Sequence, residues 1–168
     1  MIVVSDTTPI LSLLKAGRLE LLEKLYRTVV VPEAVYSELT GNIAYKEEKE
    51  EIEKCSFICV EKIHNVESVR ILRDVTGLDA GESESLVLYE EKKADLLLID
   101  EHKGRSVARK MAVEHIGTVG ILMLAFDENL LTKDEVLESL KVLLAFDIRL
   151  SRKLCNKVLH YVGIEDYF

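Results

Sequence analysis

Acidic residues stand at the ends of apolar runs and in the first turns of the helices beside them. Asp6 follows the run Ile2-Val3-Val4-Ser5, and Asp100 and Glu101 follow "ADLLLI". Glu38 lies on the helix expected after the apolar run "TVVVP", and Glu82 in the first turn of a helix opened by Asp79. A buried carboxylate without a partner costs several kcal/mol or takes up a proton. Carboxylates crowded together raise one another's pKa, and a divalent cation reverses this. Oxygen-only donors suit Mg²⁺ or Mn²⁺ rather than zinc. Asp6, Glu38, Glu82, Asp100 and Glu101 are therefore candidates to gather round such an ion. Each acid also has a plainer reading: Asp6 as a turn residue or helix cap, Glu38 as a surface side chain, Glu82 as a charge favoured at a helix start.

These acids meet only if the fold brings them to one edge. The chain alternates short β-branched runs with amphipathic segments, the pattern of a parallel sheet covered by helices on both faces. In such sheets ligands bind beyond the carboxyl ends of the strands. Ile2 to Val4 reads as the first strand. Thr8 is expected to cap the next helix, with Pro9 at its first position and Gly17 after its end. "RLELLEKLY" reads as a second helix with Leu19, Leu22 and Leu25 on one stripe. "TVVVP" is a buried strand and "PEAVYSELTG" a helix with Pro32 at its start and Gly41 beyond its end. Residues 45–54 are a charge run expected to form a solvated helix face. "FICVEKI" follows as an edge strand and "VESVRILRDVTG" as an amphipathic helix. A helix capped by Asp79 should run to about Lys93 and lead into the strand "ADLLLID". "KGRSVARKM" is a helix, and "EHIGTVGILMLAF" a short strand or turn entering an apolar helix. "KDEVLESLKVLLAF" and "SRKLCNKVLHYVG" read as helices.

With 168 residues and 48% hydrophobic residues, a single domain spanning 1–168 is expected. The formal net charge of −8 argues against a protein that coats nucleic acid through bulk positive charge. Cys55, Cys59 and Cys155 form no disulfide framework and complete no zinc set, which suits thiols in a reducing cytoplasm. No signal peptide is evident, and the longest apolar run, Val119 to Phe126, is too short to span a membrane.

The segments "IVVSDTTPILSLLKAGRLELLEKLY", "VVVPEAVYSEL", "GLDAGESESLVL", "ADLLLIDEHKGRSVARKM" and "IGTVGIL" together resemble the PIN domain. More narrowly they resemble a branch of PIN-like proteins related to VapC toxins, and the tail "FDIRLSRKLCNKVLHYVGI" is similar to the end of that branch. The resemblance implies a Rossmann-like three-layer α/β/α fold with a mainly parallel sheet, here with a helical C-terminal extension. It implies Mg²⁺- or Mn²⁺-dependent ribonuclease activity, with the toxin role of a toxin–antitoxin pair as a further implication. The family's acids match Asp6, Glu38, Glu82 and Asp100, with Glu101 competing for the last position. Its hydroxyl residue matches Thr7 or Thr8, and Thr8 is preferred. Two departures stand out: Glu occupies position 82 where many members have Asp, so that Glu84 rivals it for the third acid, and "LLIDEHKG" lacks the hydroxyl that precedes the last acid in many VapC toxins.

On that resemblance, Asp6, Glu82 and Asp100 hold one or two ions that activate a water against an RNA phosphodiester, and Glu38 binds metal or positions the water. Lys103, Arg105 and Arg109, with Lys110 beside them, are candidates for phosphate contact, or else simply a basic surface helix. His102 reads as a bystander. The acidic total charge implies a shallow salt dependence of RNA binding. The resemblance further implies a homodimer, with "LSLLKAGRLELLEKLY" and "TVGILMLAF" as possible faces, and a small antitoxin reaching the acidic groove with an Arg. The rival reading is a PIN fold that has lost catalysis and survives as a binding or scaffold protein. A phosphatase of the haloacid-dehalogenase type is disfavoured, because Thr8 stands where its second Asp would be.

Overall fold

A computed structural model describes residues 1–41, 46–146, 150–165 and 167–168. Tyr45, at the head of the charge run, and residues 147–149 of the tail lie outside them. The elements follow in the order β1 (Val3–Ser5), α1 (Thr7–Lys15), α2 (Leu21–Tyr26), β2 (Val29–Pro32), α3 (Glu33–Gly41), α4 (Lys46–Lys54), β3 (Ile58–Glu61) and α5 (Val66–Thr76). They continue with α6 (Ala80–Lys92), β4 (Leu96–Leu98), α7 (His102–Lys110), β5 (His115–Ile116), α8 (Thr118–Asp127), α9 (Lys133–Ala145) and α10 (Arg152–Tyr161).

The strands form one parallel sheet in the order β3-β2-β1-β4-β5. Successive strand residues face opposite sides, and both faces are apolar. Val3 and Leu98 join a core with α1, α2, α8, α9 and α10. Val4, Leu97 and Ile99 join the second core, with α5, α6 and α7. The result is the expected three-layer α/β/α arrangement, with β3 at one edge. Ser5 pairs with Leu98, so β1 and β4 end side by side and deliver Asp6 and Asp100 to the same edge of the sheet.

Thr8 does not cap α1. The chain leaves β1 extended at Asp6, whose N–H donates to the Leu98 carbonyl at 2.9 Å, and the helix begins at Thr7. Asp6 takes the N-cap position without a side-chain cap bond, and Pro9 becomes the third helical residue. Proline is tolerated there because first-turn N–H groups have no intrahelical acceptor. Gly41 is the last residue of α3 rather than the residue beyond it.

The two apolar segments considered as dimer faces are spent on the core. Leu13, Leu14, Leu21 and Leu22 are buried, as are Ile121, Leu122 and Ala125. Large exposed apolar side chains lie elsewhere, Val66, Ile71 and Val75 of α5 among them. Among the described residues, no helix is long and apolar enough to cross a membrane.

Candidate active site at the carboxyl edge of the sheet

Asp6 is buried where β1 gives way to α1. Period-two alternation turns it to the same side as Val4, towards α6. Glu38 reaches the same place from α3, where it stays open to solvent. Its Oε2 accepts a hydrogen bond from the Thr7 hydroxyl at 2.6 Å. Thr7, rather than the preferred Thr8, is thus the hydroxyl that touches this group of acids. Gly81, in the first turn of α6, completes the enclosure. A Cβ there would stand 3.0 Å from Glu38 Oε1 and 3.3 Å from Asp6 Oδ1, so only glycine leaves that space open.

The first turn of α6 brings the next two acids. Asp79 Oδ1 accepts from the Glu82 N–H at 2.8 Å, and Glu82 Oε2 accepts from the Asp79 N–H at 3.1 Å, a reciprocal cap. Glu82 is buried and Asp79 exposed. Glu84 is committed elsewhere: its Oε2 accepts from the Ala34 N–H at the start of α3, at 3.1 Å. The structure therefore leaves Glu82, not Glu84, among the clustered acids.

Burial pushes the Asp6 carboxyl up to about 7, and the nearby charges of Asp79, Glu82 and Glu38 add to the rise against the Thr7 backbone hydrogen bond. Burial also raises Glu82, reinforced by the charges of Asp79 and Glu101 and opposed by the Asp79 N–H and by Lys103. Asp79 was foreseen only as a helix cap; its charge acts on both buried acids. The cap pattern Asp-x-x-Glu hid that second role.

Asp100 and Glu101 divide their attention. Asp100 lies on the opposite side from Asp6 by the same alternation. Its Oδ1 accepts from the Thr118 N–H at 2.7 Å and its Oδ2 from the Thr118 hydroxyl at 2.6 Å, at the start of α8. Burial raises its pKa, while Thr118 and the Arg105 charge work the other way. Glu101 is exposed, and its charge is felt by Glu82 as well as by Asp100. Gly117 permits the Asp100 geometry, since a Cβ would fall 2.5 Å from Asp100 Oδ1 and 3.4 Å from the Ile99 carbonyl oxygen. Gly117→Ala is expected to displace Asp100 and lower stability by about 1–3 kcal/mol. Urea unfolding checks this, and an unchanged midpoint would contradict it.

The basic candidates are spread along α7. The Lys103 ammonium donates to the Gly77 carbonyl at 2.7 Å, close enough to Glu82 to lower its pKa. Arg105 sits next to Asp100 at the second turn. Arg109 is exposed in the last turn of α7, roughly 10 Å along the helix from His102 at 1.5 Å per residue.

The donor chemistry of Asp6, Glu38 and Glu82 fits a hard divalent cation: oxygen only, two of the three acids buried, and Asp6 held near 7 until a positive charge joins it. Among the described residues, no group of three or more His, Cys, Asp or Glu side chains is already closed to coordinating geometry. The acids border a space, with Gly81 as its wall.

A family model described as PIN domain matches residues 2–163. No curated protein matches the chain.

Proposed function

Because the chain belongs to the PIN-domain family, whose members are nuclease-type domains, we propose that it is a metal-dependent ribonuclease. The observation that carries the reading is the burial of Asp6 among the charges of Glu38, Asp79 and Glu82, a grouping that either holds a proton or is relieved by a positively charged occupant. Asp6, Glu38 and Glu82 would hold Mg²⁺ or Mn²⁺, with Glu101, whose charge is felt at Glu82, beside them and Asp100 held away by Thr118. Such an ion would supply a water of lowered pKa and positive charge against the phosphate oxygens. Glu38, held by the Thr7 hydroxyl, would orient that water toward the phosphate. Lys103 and Arg105 meet the flanking phosphates. Thr118 holds Asp100 in one orientation.

The test is incubation of single-stranded RNA with the protein and Mg²⁺ or Mn²⁺, beside a chelator control. Cleavage with the cation and none with the chelator is expected. Cleavage that survives the chelator, or no cleavage with either cation, contradicts the proposal. Mn²⁺ at about a thousandfold excess over its Kd should also raise the melting temperature, by roughly 10 °C at pH 8. The rise should shrink at pH 6, because the acids must lose their protons to bind the ion. An equal rise at both pH values would contradict this.

The scaffold reading draws on one observation: both Asp100 oxygens are already engaged by Thr118. A Mn²⁺-induced melting shift without RNA cleavage would select it. A toxin role, a homodimer and a small antitoxin partner extend the nuclease proposal, and co-purification from the native host addresses all three.

A further inference from the structure

A cationic side chain is fastened beside the acidic site. Lys103 stands in the first turn of α7, and its ammonium donates to the Gly77 carbonyl at 2.7 Å. Gly77 ends α5 in the left-handed region, at φ 67°, two residues before the Asp79 cap of α6. The bond therefore ties the start of α7 across the short link between α5 and α6. That link sets Asp79 and, through the reciprocal cap, Glu82.

Two glycines make this approach possible. A Cβ on Gly77 would fall 2.9 Å from the Lys103 ammonium, so glycine leaves room for the tether and accepts the positive φ. A Cβ on Gly104, the residue after Lys103, would fall 2.9 Å from Glu82 Oε1. The first turn of α7 thus lies against the Glu82 carboxylate, whose other oxygen accepts from the Asp79 N–H. Lys103 is exposed, and an exposed lysine ordinarily keeps its ammonium in water. Here the ammonium is bound to a carbonyl, and its charge is felt at Glu82, where the charges of Asp79 and Glu101 act in the opposite sense. A lysine that only caps the end of α5 would need the carbonyl but not the acids.

We propose that Lys103 is a resident counter-ion of the acidic cluster, held at its rim by the Gly77 carbonyl, where it steadies the metal-free site and weakens the site's hold on a divalent cation. The first effect needs only the chain; the second rests on the metal-dependent reading above. This task is additional to phosphate contact. The ammonium offsets part of the repulsion among the clustered acids, and the same charge opposes an arriving cation. Lys103 is therefore a positioning residue that also sets the affinity of the site.

Two measurements on the full chain test this. The first is a double-mutant cycle of melting temperatures with chelator at pH 8, using Lys103→Met, Glu82→Gln and the double variant. Glutamine keeps an acceptor for the Asp79 N–H, so Glu82→Gln should fold. Lys103→Met should lower the melting temperature by about 2–4 °C in wild type, and by less than half as much beside Glu82→Gln. Equal losses in the two backgrounds reduce Lys103 to a helix cap and overturn the proposal. If Glu82→Gln does not fold, salt takes its place: the loss in Lys103→Met should shrink at high salt, and an equal loss at low and high salt overturns the proposal. The second measurement is calorimetric titration with Mn²⁺ at pH 8. Lys103→Met should bind about three- to tenfold more tightly than wild type, and Lys103→Arg, which keeps the charge, as wild type does. Unchanged or weaker binding by Lys103→Met overturns the proposal, weaker binding being the result of a lost tether alone. If neither wild type nor Lys103→Met binds Mn²⁺, the metal reading falls and the cycle alone decides the counter-ion. Mn²⁺ binding and RNA cleavage by wild type with no coupling in the cycle keep the nuclease and remove the counter-ion.

Discussion

Asp6→Asn is expected to lower RNA cleavage by about a hundredfold or more, since even outer partners of metal ligands cost 10–100-fold. In the presence of chelator it should also change the pH dependence of stability. Asp6 titrates at about 7 in the folded chain against an ordinary value of 3.8. The folded state therefore holds this proton more tightly than the unfolded state. The associated stability is complete below pH 4 and is lost as pH rises through 7, a difference of roughly 4 kcal/mol. Asparagine has no proton to lose. Relative to Asp6→Asn, wild type should lose stability between about pH 4 and pH 7, leaving the variant the steadier protein at pH 8 without metal. Adding Mn²⁺ at pH 8 should stabilise wild type and leave the variant nearly unmoved. Urea unfolding of both proteins at pH 5 and pH 8 measures this. A difference that is the same at both pH values would show that Asp6 does not carry the strain assigned to it.

Leu98→Ala should have the largest effect on stability alone. Leu98 is fully buried in β4 and packs into the larger core. Truncating such a leucine costs about 2–5 kcal/mol, depending on how far the neighbours relax. For a chain of this size the melting temperature should fall by roughly 5–20 °C. The Leu98 carbonyl that accepts from Asp6 N–H belongs to the backbone and survives the substitution. At a temperature where the variant is folded, the Mn²⁺-induced melting shift should persist. Thermal melting with and without Mn²⁺ reads both effects. An unchanged melting temperature would contradict the packing, and a lost Mn²⁺ shift would contradict the separation of core from site.

The sheet and its layers were legible because their signals are local. "TVVVP" and "ADLLLID" are continuous apolar runs bounded by polar residues, and strands buried on both faces read that way. The edge position of β3 followed from its mixed "ICVE", whose Cys59 and Val60 are exposed. The cap at Asp79 was readable because its partner lies three residues away. The site was less legible where a side chain's partner is distant in sequence. Glu84 and Glu82 are two residues apart, yet Glu84 turns to Ala34 while Glu82 stays by Asp6. The choice between Asp100 and Glu101 turns on Thr118, eighteen residues on, which takes both Asp100 oxygens. Thr7 displaced Thr8 because the strand runs one residue further than Val4 and the helix starts at once, turning the Thr7 hydroxyl to Glu38. Alternation along β1 did carry one usable clue. Asp6 shares the parity of Val4, so an acid meant for it should come from the α6 side.

Crystals of the full chain grown with Mn²⁺ and measured for anomalous scattering test the central claim most directly. A single strong peak, or a close pair, bounded by the carboxylates of Asp6, Glu38 and Glu82 is the predicted result. A map with no peak there, or with Mn²⁺ held only by surface acids such as those of α4, would contradict the account.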